Sequence, residues 1–181
     1  MLDDNGFEIY EENTFPIAYL LTFRTFGTWL HGDERGSIER SRNRRFKTIR
    51  REPNAPLQDK MELSLNQEVI ILNGVQRNIV QDAIVEVCSH RSYEPRAINI
   101  RRNHVHAVVS RAIKPEKIVN DLKAYATRRL REAGHFGSNE KVWARGASMR
   151  YLWKPHHVEA AVDYVLYSQG DIPFEAVVRL D

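Results

Sequence analysis

The sequence predicts an α+β fold: a ferredoxin-like antiparallel sheet in the order β-α-β-β-α-β, with an additional C-terminal helix. Three observations predict it. Strand-like runs and helical periodicities succeed one another in that order along the chain. Two of the strand-like runs are joined by only Arg101, Arg102 and Asn103, a connection short enough for a hairpin. The helical stretches carry one apolar stripe each, as helices laid on one face of an antiparallel sheet do.

Each element has its own signal. Ile17 to Thr25 (IAYLLTFRT) is rich in β-branched and aromatic residues and reads as the first strand. From Gly27 to about Leu57 the chain is charged and aperiodic, long for a loop in a compact domain. Glu68 to Leu72 (EVIIL) reads as a short strand. Asn73 then stands where a helix cap belongs, before Val75, Ile79, Val80, Ala83, Ile84, Val87 and Cys88 at 3.6-residue spacing. That helix ends near Arg91, and Pro95 is expected to open a turn. Arg96 to Ile100 and His104 to Ser110 form the hairpin. Pro115 suits the first turn of the next helix, and Gly134 its stop. Met149 to Trp153 (MRYLW) reads as the last strand. Pro155 to about Gln169 reads as the final helix, with Val158, Ala161, Val162, Val165 and Leu166 facing in.

The 181 residues match one domain, with a polar N-terminal arm at 1–16, a domain at 17–171 and a tail at 172–181. Hydrophobic residues make up 42%, enough for one sizeable core, which excludes wholesale disorder. A single cysteine, Cys88, excludes an intramolecular disulfide framework, and its place on a helix's apolar stripe makes it core. No apolar run of about 18 residues offers a membrane span. The acidic start, MLDDNGFEIYEEN, is unlike a signal peptide, so the expected compartment is the cytoplasm.

The net charge of +3 is small but unevenly placed. Arg35 to Arg51 holds eight basic residues and one acidic, a local +7 within a basic insert at about 35–57. The remaining 19 basic and 23 acidic residues leave the rest of the chain at −4. A second basic cluster comprises Lys123, Arg128, Arg129, Arg131, Lys141, Arg145 and Arg150. Two separate basic regions suit a polyanion crossing the surface.

Chemistry is concentrated in two places. In His104-Val105-His106 the period of a strand aims both imidazoles at one face, where two neutral rings can share one divalent cation. Val105, Ala107 and Val109 point into the core instead. On the last helix, VDYVLYSQG offers Tyr164 and Tyr167 as nucleophiles toward phosphorus. The two share roughly one helix face, so the motif alone does not choose between them. Lys123, Arg128 and Arg129 on one helix, Arg101 and Arg102 before the histidines, and Arg145 in a turn are candidate phosphate contacts. Trp29 and Trp143 suit packing better than base stacking. His156 and His157 are adjacent, diverge by about 100° on a helix, and cannot join one site. A zinc hydrolase with His90 or His157 as third ligand is a competing reading, though no acidic residue stands beside the histidine pair to serve as its base.

Four motifs in order, NHVHAVV, LKAYATRRL, WARGASMRYLW and VDYVLYSQG, resemble the single-tyrosine HUH transposases. Within them the chain is most similar to the REP-associated, insertion-sequence-200-like branch, as is the opening AYLLTFRTFGTWLHGDERG. The resemblance covers roughly residues 17–171. It implies a ferredoxin-like fold, often a homodimer. It implies Mg²⁺ or Mn²⁺ on His104 and His106, and Tyr164 as the nucleophile. It implies nicking of single-stranded or hairpin DNA through a 5′-phosphotyrosine link that leaves a free 3′-OH, and rejoining by the reverse attack. A Gln one turn beyond the tyrosine commonly completes the family's metal shell. Here that position is Ser168, and Gln169 follows as the candidate third ligand. This departure supports a second reading, a catalytically impaired or domesticated nucleic-acid-binding protein on the same fold.

Overall fold

The computed structural model describes residues 14–28, 37–40, 48–51, 67–168 and 177–179, the second, third and last of these as backbone only. Among the described residues these elements follow one another: β1 (Ala18–Arg24), β2 (Ser37–Arg40), β3 (Thr48–Arg51), α1 (Gly74–Arg91), β4 (Glu94–Ile100), β5 (His104–Ser110), α2 (Pro115–Glu132), β6 (Ser148–Leu152), α3 (Pro155–Tyr167) and β7 (Val177–Arg179). The main sheet runs β6-β1-β5-β4-β7, antiparallel throughout. Without β7 its order is that of the expected β-α-β-β-α-β sandwich. β7 adds an edge strand at 177–179, where the sequence suggests only a tail. β2 and β3 pair as a separate two-stranded ribbon inside the basic insert, which is therefore not a plain loop.

Strand pleating divides the sheet's side chains between two cores. Tyr19, Leu21, Phe23, Ile98, Ile100, Val105, Ala107 and Val109 meet α1 and α2 through residues such as Val80, Ile84, Val87, Ile118, Leu122 and Leu130. The opposite face presents Ala18, Ala97, Val108 and Leu152, with Leu20 packed beside them, and α3 covers it with Ala161, Val165 and Leu166. So the expectation of helices on a single face holds for α1 and α2 and is corrected for α3. The even-numbered positions of β1 and β5 are themselves apolar in part, and that face needs its own cover.

The helix ends follow local chemistry. Asn73 and Gln76 form a reciprocal capping box: the Gln76 amide N–H donates to Asn73 Oδ1, and the Asn73 N–H donates to Gln76 Oε1, both at 2.9 Å. Gly134, at φ +76°, ends α2, where the His135 N–H donates to the Leu130 carbonyl and the Gly134 N–H to that of Arg131. Cys88 is buried on α1, and burial pushes its thiol up to about 12, which suits packing and not nucleophilic attack.

Two local expectations are corrected. Glu68–Leu72 is no strand; the Ile70 N–H donates to the Phe26 carbonyl and the Leu72 N–H to that of Arg102, so the segment is stitched to two loops and joins no ladder. Pro95 lies within β4 and opens no turn. A bulge between Pro95 and Ala97 accommodates the residue that has no N–H to give. The turn comes earlier, at Ser92, which is left-handed at φ 54°.

Candidate functional site

The site forms where β5 passes beneath α3. His104 and His106 project from the same side of β5, their ring centroids 4.7 Å apart and nearly perpendicular. They lie on the face of α3, so they are covered in part, and His106 is only 6% exposed. Each ring is held by its Nδ1. His104 Nδ1 lies 2.7 Å from Asn103 Oδ1, and His106 Nδ1 lies 2.7 Å from Thr22 Oγ1. An amide oxygen only accepts, so His104 donates from Nδ1 and carries its lone pair on Nε2. Thr22 is the direct cross-strand partner of His106 on β1 and holds its ring the same way when the hydroxyl accepts.

Histidines that ligate metals through one nitrogen have the other fixed by a hydrogen bond in this manner. The pair thus fits a divalent cation through its Nε2 atoms. Among the described residues, no three His, Cys, Asp or Glu side chains converge to hold a metal ion. Gln169, the candidate third ligand, lies outside the described residues. Ser168 is the C-cap of α3, its N–H donating to the Tyr164 carbonyl at 3.1 Å.

The helix brings one tyrosine to the pair. The Tyr164 and His106 rings meet edge to face with centroids 5.6 Å apart. Tyr164 is half-exposed, whereas Tyr167, one turn on, is 69% exposed. The apolar seam of Ala161, Val165 and Leu166 holds this rotation of α3.

The basic residues divide between the two faces. Arg101 and Arg102 stand in the β4–β5 turn directly before His104. Arg145 is exposed in the turn that follows the bridge between Thr25 and Trp143, and the neighbouring Ala144 N–H donates to the Arg24 carbonyl. Arg24 is the register partner of His104 and follows the pleat of Thr22, so it belongs to the same face. Lys123, Arg128 and Arg129 lie on α2, across the sheet from the histidines. Lys123 Nζ donates to the carbonyls of Ala144 (2.9 Å) and Gly146 (2.6 Å) and lies 5.6 Å from the centre of the Phe23 ring. Burial lowers its pKa below the usual lysine value. Arg128 and Arg129 pair with Glu86 at 3.2 and 3.3 Å, and Arg128 also covers the Tyr125 ring.

The aromatic and remaining histidine expectations sort likewise. Trp143 packs edge to face on Phe23 (5.0 Å) and donates from Nε1 to Thr127 Oγ1 (3.1 Å), so it is a packing residue; Trp29 lies outside the described residues. His156 and His157 are exposed in the first turn of α3. His90 sits on α1 against Tyr125, on the far face of the sheet. Among the described residues, neither His90 nor His157 joins the histidine pair as the third ligand of a zinc site.

The profile described as "Transposase IS200 like" matches residues 63–166, more than half of the chain, and spans both histidines and Tyr164. The chain belongs to the IS200-like transposase family. No curated protein matches it. Among solved structures, a REP-associated tyrosine transposase bound to a REP hairpin shares the fold with a TM-score of 0.50 and 13% identity, covering 89% of this chain and 71% of that one. A candidate transposase of Deinococcus radiodurans R1 matches with a TM-score of 0.47 and 13% identity, covering 91% of this chain and 99% of its own.

Sequence reasoning on this IS200-like transposase missed Thr22, Asn99 and Asn103. Thr22 and Asn99 are ordinary strand residues in sequence, and only pairing with β5 sets them on either side of His106. Asn103 carries a local signal, an amide next to the first histidine.

Proposed function

We propose that this chain is a metal-dependent single-strand DNA transposase that nicks and rejoins DNA through a 5′-phosphotyrosine intermediate on Tyr164. The observation that carries the proposal is the meeting of the Tyr164 ring with the Nδ1-anchored histidine pair. His104 and His106 would hold Mg²⁺ or Mn²⁺, with Gln169 as the proposed third ligand. Such a cation supplies Lewis-acid polarisation of a scissile phosphate oxygen. The Tyr164 hydroxyl, losing its proton, forms the new bond to phosphorus. The bond from phosphorus to the 3′ oxygen breaks, and that oxygen takes up a proton as the free 3′-OH. Attack by a 3′-OH reverses both changes, so rejoining needs no outside energy source.

Arg101, Arg102, Arg24 and Arg145 surround the His104 end of β5 and are the proposed phosphate contacts nearest the chemistry. Lys123, Arg128 and Arg129 are proposed only as a more distant basic surface, which a strand crossing to the α2 face would meet. Hairpin DNA is the proposed substrate form, supported by the hairpin held in the structurally similar REP-associated transposase. A homodimer is proposed from the family resemblance and is tested by sedimentation.

The test is incubation of the protein with labelled single-stranded hairpin DNA and Mn²⁺. A covalent protein–DNA adduct is expected from wild type and Tyr167→Phe, and none from Tyr164→Phe with metal and DNA binding intact. An adduct that survives Tyr164→Phe and disappears in Tyr167→Phe would move the nucleophile. The second reading, a DNA-binding protein without strand transfer, is favoured by Ser168 at the family's glutamine position. It predicts hairpin binding and Mn²⁺ binding with no adduct.

A further inference from the structure

One polar row crosses an otherwise apolar interface. Beneath α3 the sheet offers Ala18, Ala97, Val108 and Leu152, yet at one register line Thr22, His106 and Asn99 stand side by side on β1, β5 and β4. Thr22 anchors the imidazole. Asn99 is 1% exposed and does something else: its Nδ2 donates to the Val165 carbonyl at 2.8 Å. Its Oδ1 is buried without a hydrogen-bond partner among the described residues. An apolar side chain would suit this position better if packing were its whole purpose, because a buried amide that uses one of its donors and neither lone pair is unfavourable.

Val165 directly follows Tyr164 and lies in the last turn of α3, where carbonyls lack donors from their own helix. A donor from the sheet at that point fixes both the rotation and the axial position of the helix. The same β4 residue is the direct strand partner of His106, so one cross-strand line locates the metal-binding ring and the helix that carries the tyrosine.

We propose that Asn99 is a positioning residue that registers Tyr164 against His106 by tying the Val165 carbonyl to β4. This rests on the strand-transfer reading for its consequence and on the Asn99–Val165 bond for its geometry. Misplacement of an attacking atom by about 1 Å costs on the order of 100-fold in rate.

Asn99→Leu keeps the side chain's size and removes the donor; Asn99→Ala serves if the leucine variant does not fold. The first measurement needs no metal: the nuclear Overhauser contact between ring-labelled Tyr164 and His106, present in wild type and lost or sharply weakened in the variant. The second is the single-turnover rate of adduct formation on hairpin DNA with Mn²⁺, expected to fall about 100-fold. Mn²⁺ and hairpin affinities should change less than about twofold, a split that general loosening of the fold would not produce. A folded variant with the wild-type ring contact, or with the wild-type adduct rate, overturns the inference and spares the strand-transfer reading. A wild-type protein that shows the ring contact but no adduct sinks the strand-transfer reading, while loss of the contact in Asn99→Leu would still support the positioning role.

Discussion

A histidine makes a good metal ligand when its second nitrogen is already committed, because the ring then needs no reorientation on binding. Asn103 and Thr22 hold the two Nδ1 atoms here. Thr22→Val keeps the shape and removes the hydroxyl, and calorimetry should show Mn²⁺ affinity about 10-fold weaker, in the usual range for such outer partners. His106→Ala should abolish Mn²⁺ binding in a protein that still unfolds cooperatively; unchanged affinity would refute the metal assignment. Far from the site, Asp121 shows a different kind of residue effect. Burial acts to raise its pKa, but hydrogen bonds from Tyr93 and Lys117 and the charges of Lys117 and Arg91 outweigh it, leaving the carboxyl below its usual value. A carboxyl depressed in the folded state stabilises above its unfolded pKa of about 3.9 and loses that contribution as pH falls through the lower folded value. Thermal melts of Asp121→Asn should therefore show lower stability at pH 7 and a shallower loss below pH 4 than wild type.

At the scale of elements, the two ends of α1 make opposite predictions. Its start is satisfied from both sides by the Asn73–Gln76 box, so Asn73→Ala should cost about 1 kcal/mol. Its end places Ser92 in the left-handed region, which disfavours any side chain with a Cβ by roughly 1–2 kcal/mol. Ser92→Gly should then stabilise the protein by about 1 kcal/mol, a rise of about 2–4 °C in Tm for a chain this long. A neutral result for Asn73→Ala, or a neutral or destabilising one for Ser92→Gly, would contradict the cap geometry. The turn at 144–146 is fastened from α2 by Lys123, so Lys123→Met should lower stability, and should leave the salt dependence of DNA binding unchanged unless a strand crosses to the α2 face.

For the whole molecule, the decisive feature is that the sheet has two covered faces and the candidate site lies under only one. On the proposed reading, DNA reaching Tyr164 passes Arg101 and Arg102 in the β4–β5 turn. Each phosphate contact contributes a slope of about −0.7 in log affinity against log salt for single strands, so removing both arginines should flatten the slope by about 1.4. Arg128 and Arg129 lie across the sheet in exposed pairs with Glu86, which hold them only weakly. Replacing these two should leave the slope unchanged unless the strand wraps to the α2 face, and the measured slope distinguishes the two paths.

Much of this was legible in one dimension, because it depends on residues near one another along the chain. The stripe from Val80 to Cys88 announces α1, Asn73 its cap, Gly134 the stop of α2, and the period-two spacing of His104 and His106 their shared face. Tyr164 enters from the ordered motifs of a family that the profile match bears out. Other features needed the fold, because sequence-distant partners create them. EVIIL has the composition of a strand but lies where loops, not a strand edge, accept its N–H groups. Lys123 reads as a candidate phosphate contact on a helix, and only the return of the chain at Ala144 and Gly146 turns it inward. Tyr164 and Tyr167 are equivalent on a helical wheel; the packing of α3 on Ala97 and Val108 sets one against His106 and leaves the other in solvent. Thr22 and Asn99 acquire meaning only from strand register, since a one-residue slip would point both away from His106. Local periodicity and capping thus determined the elements and their inward faces, whereas cross-strand pairing and the seating of α3 decided which polar side chains meet.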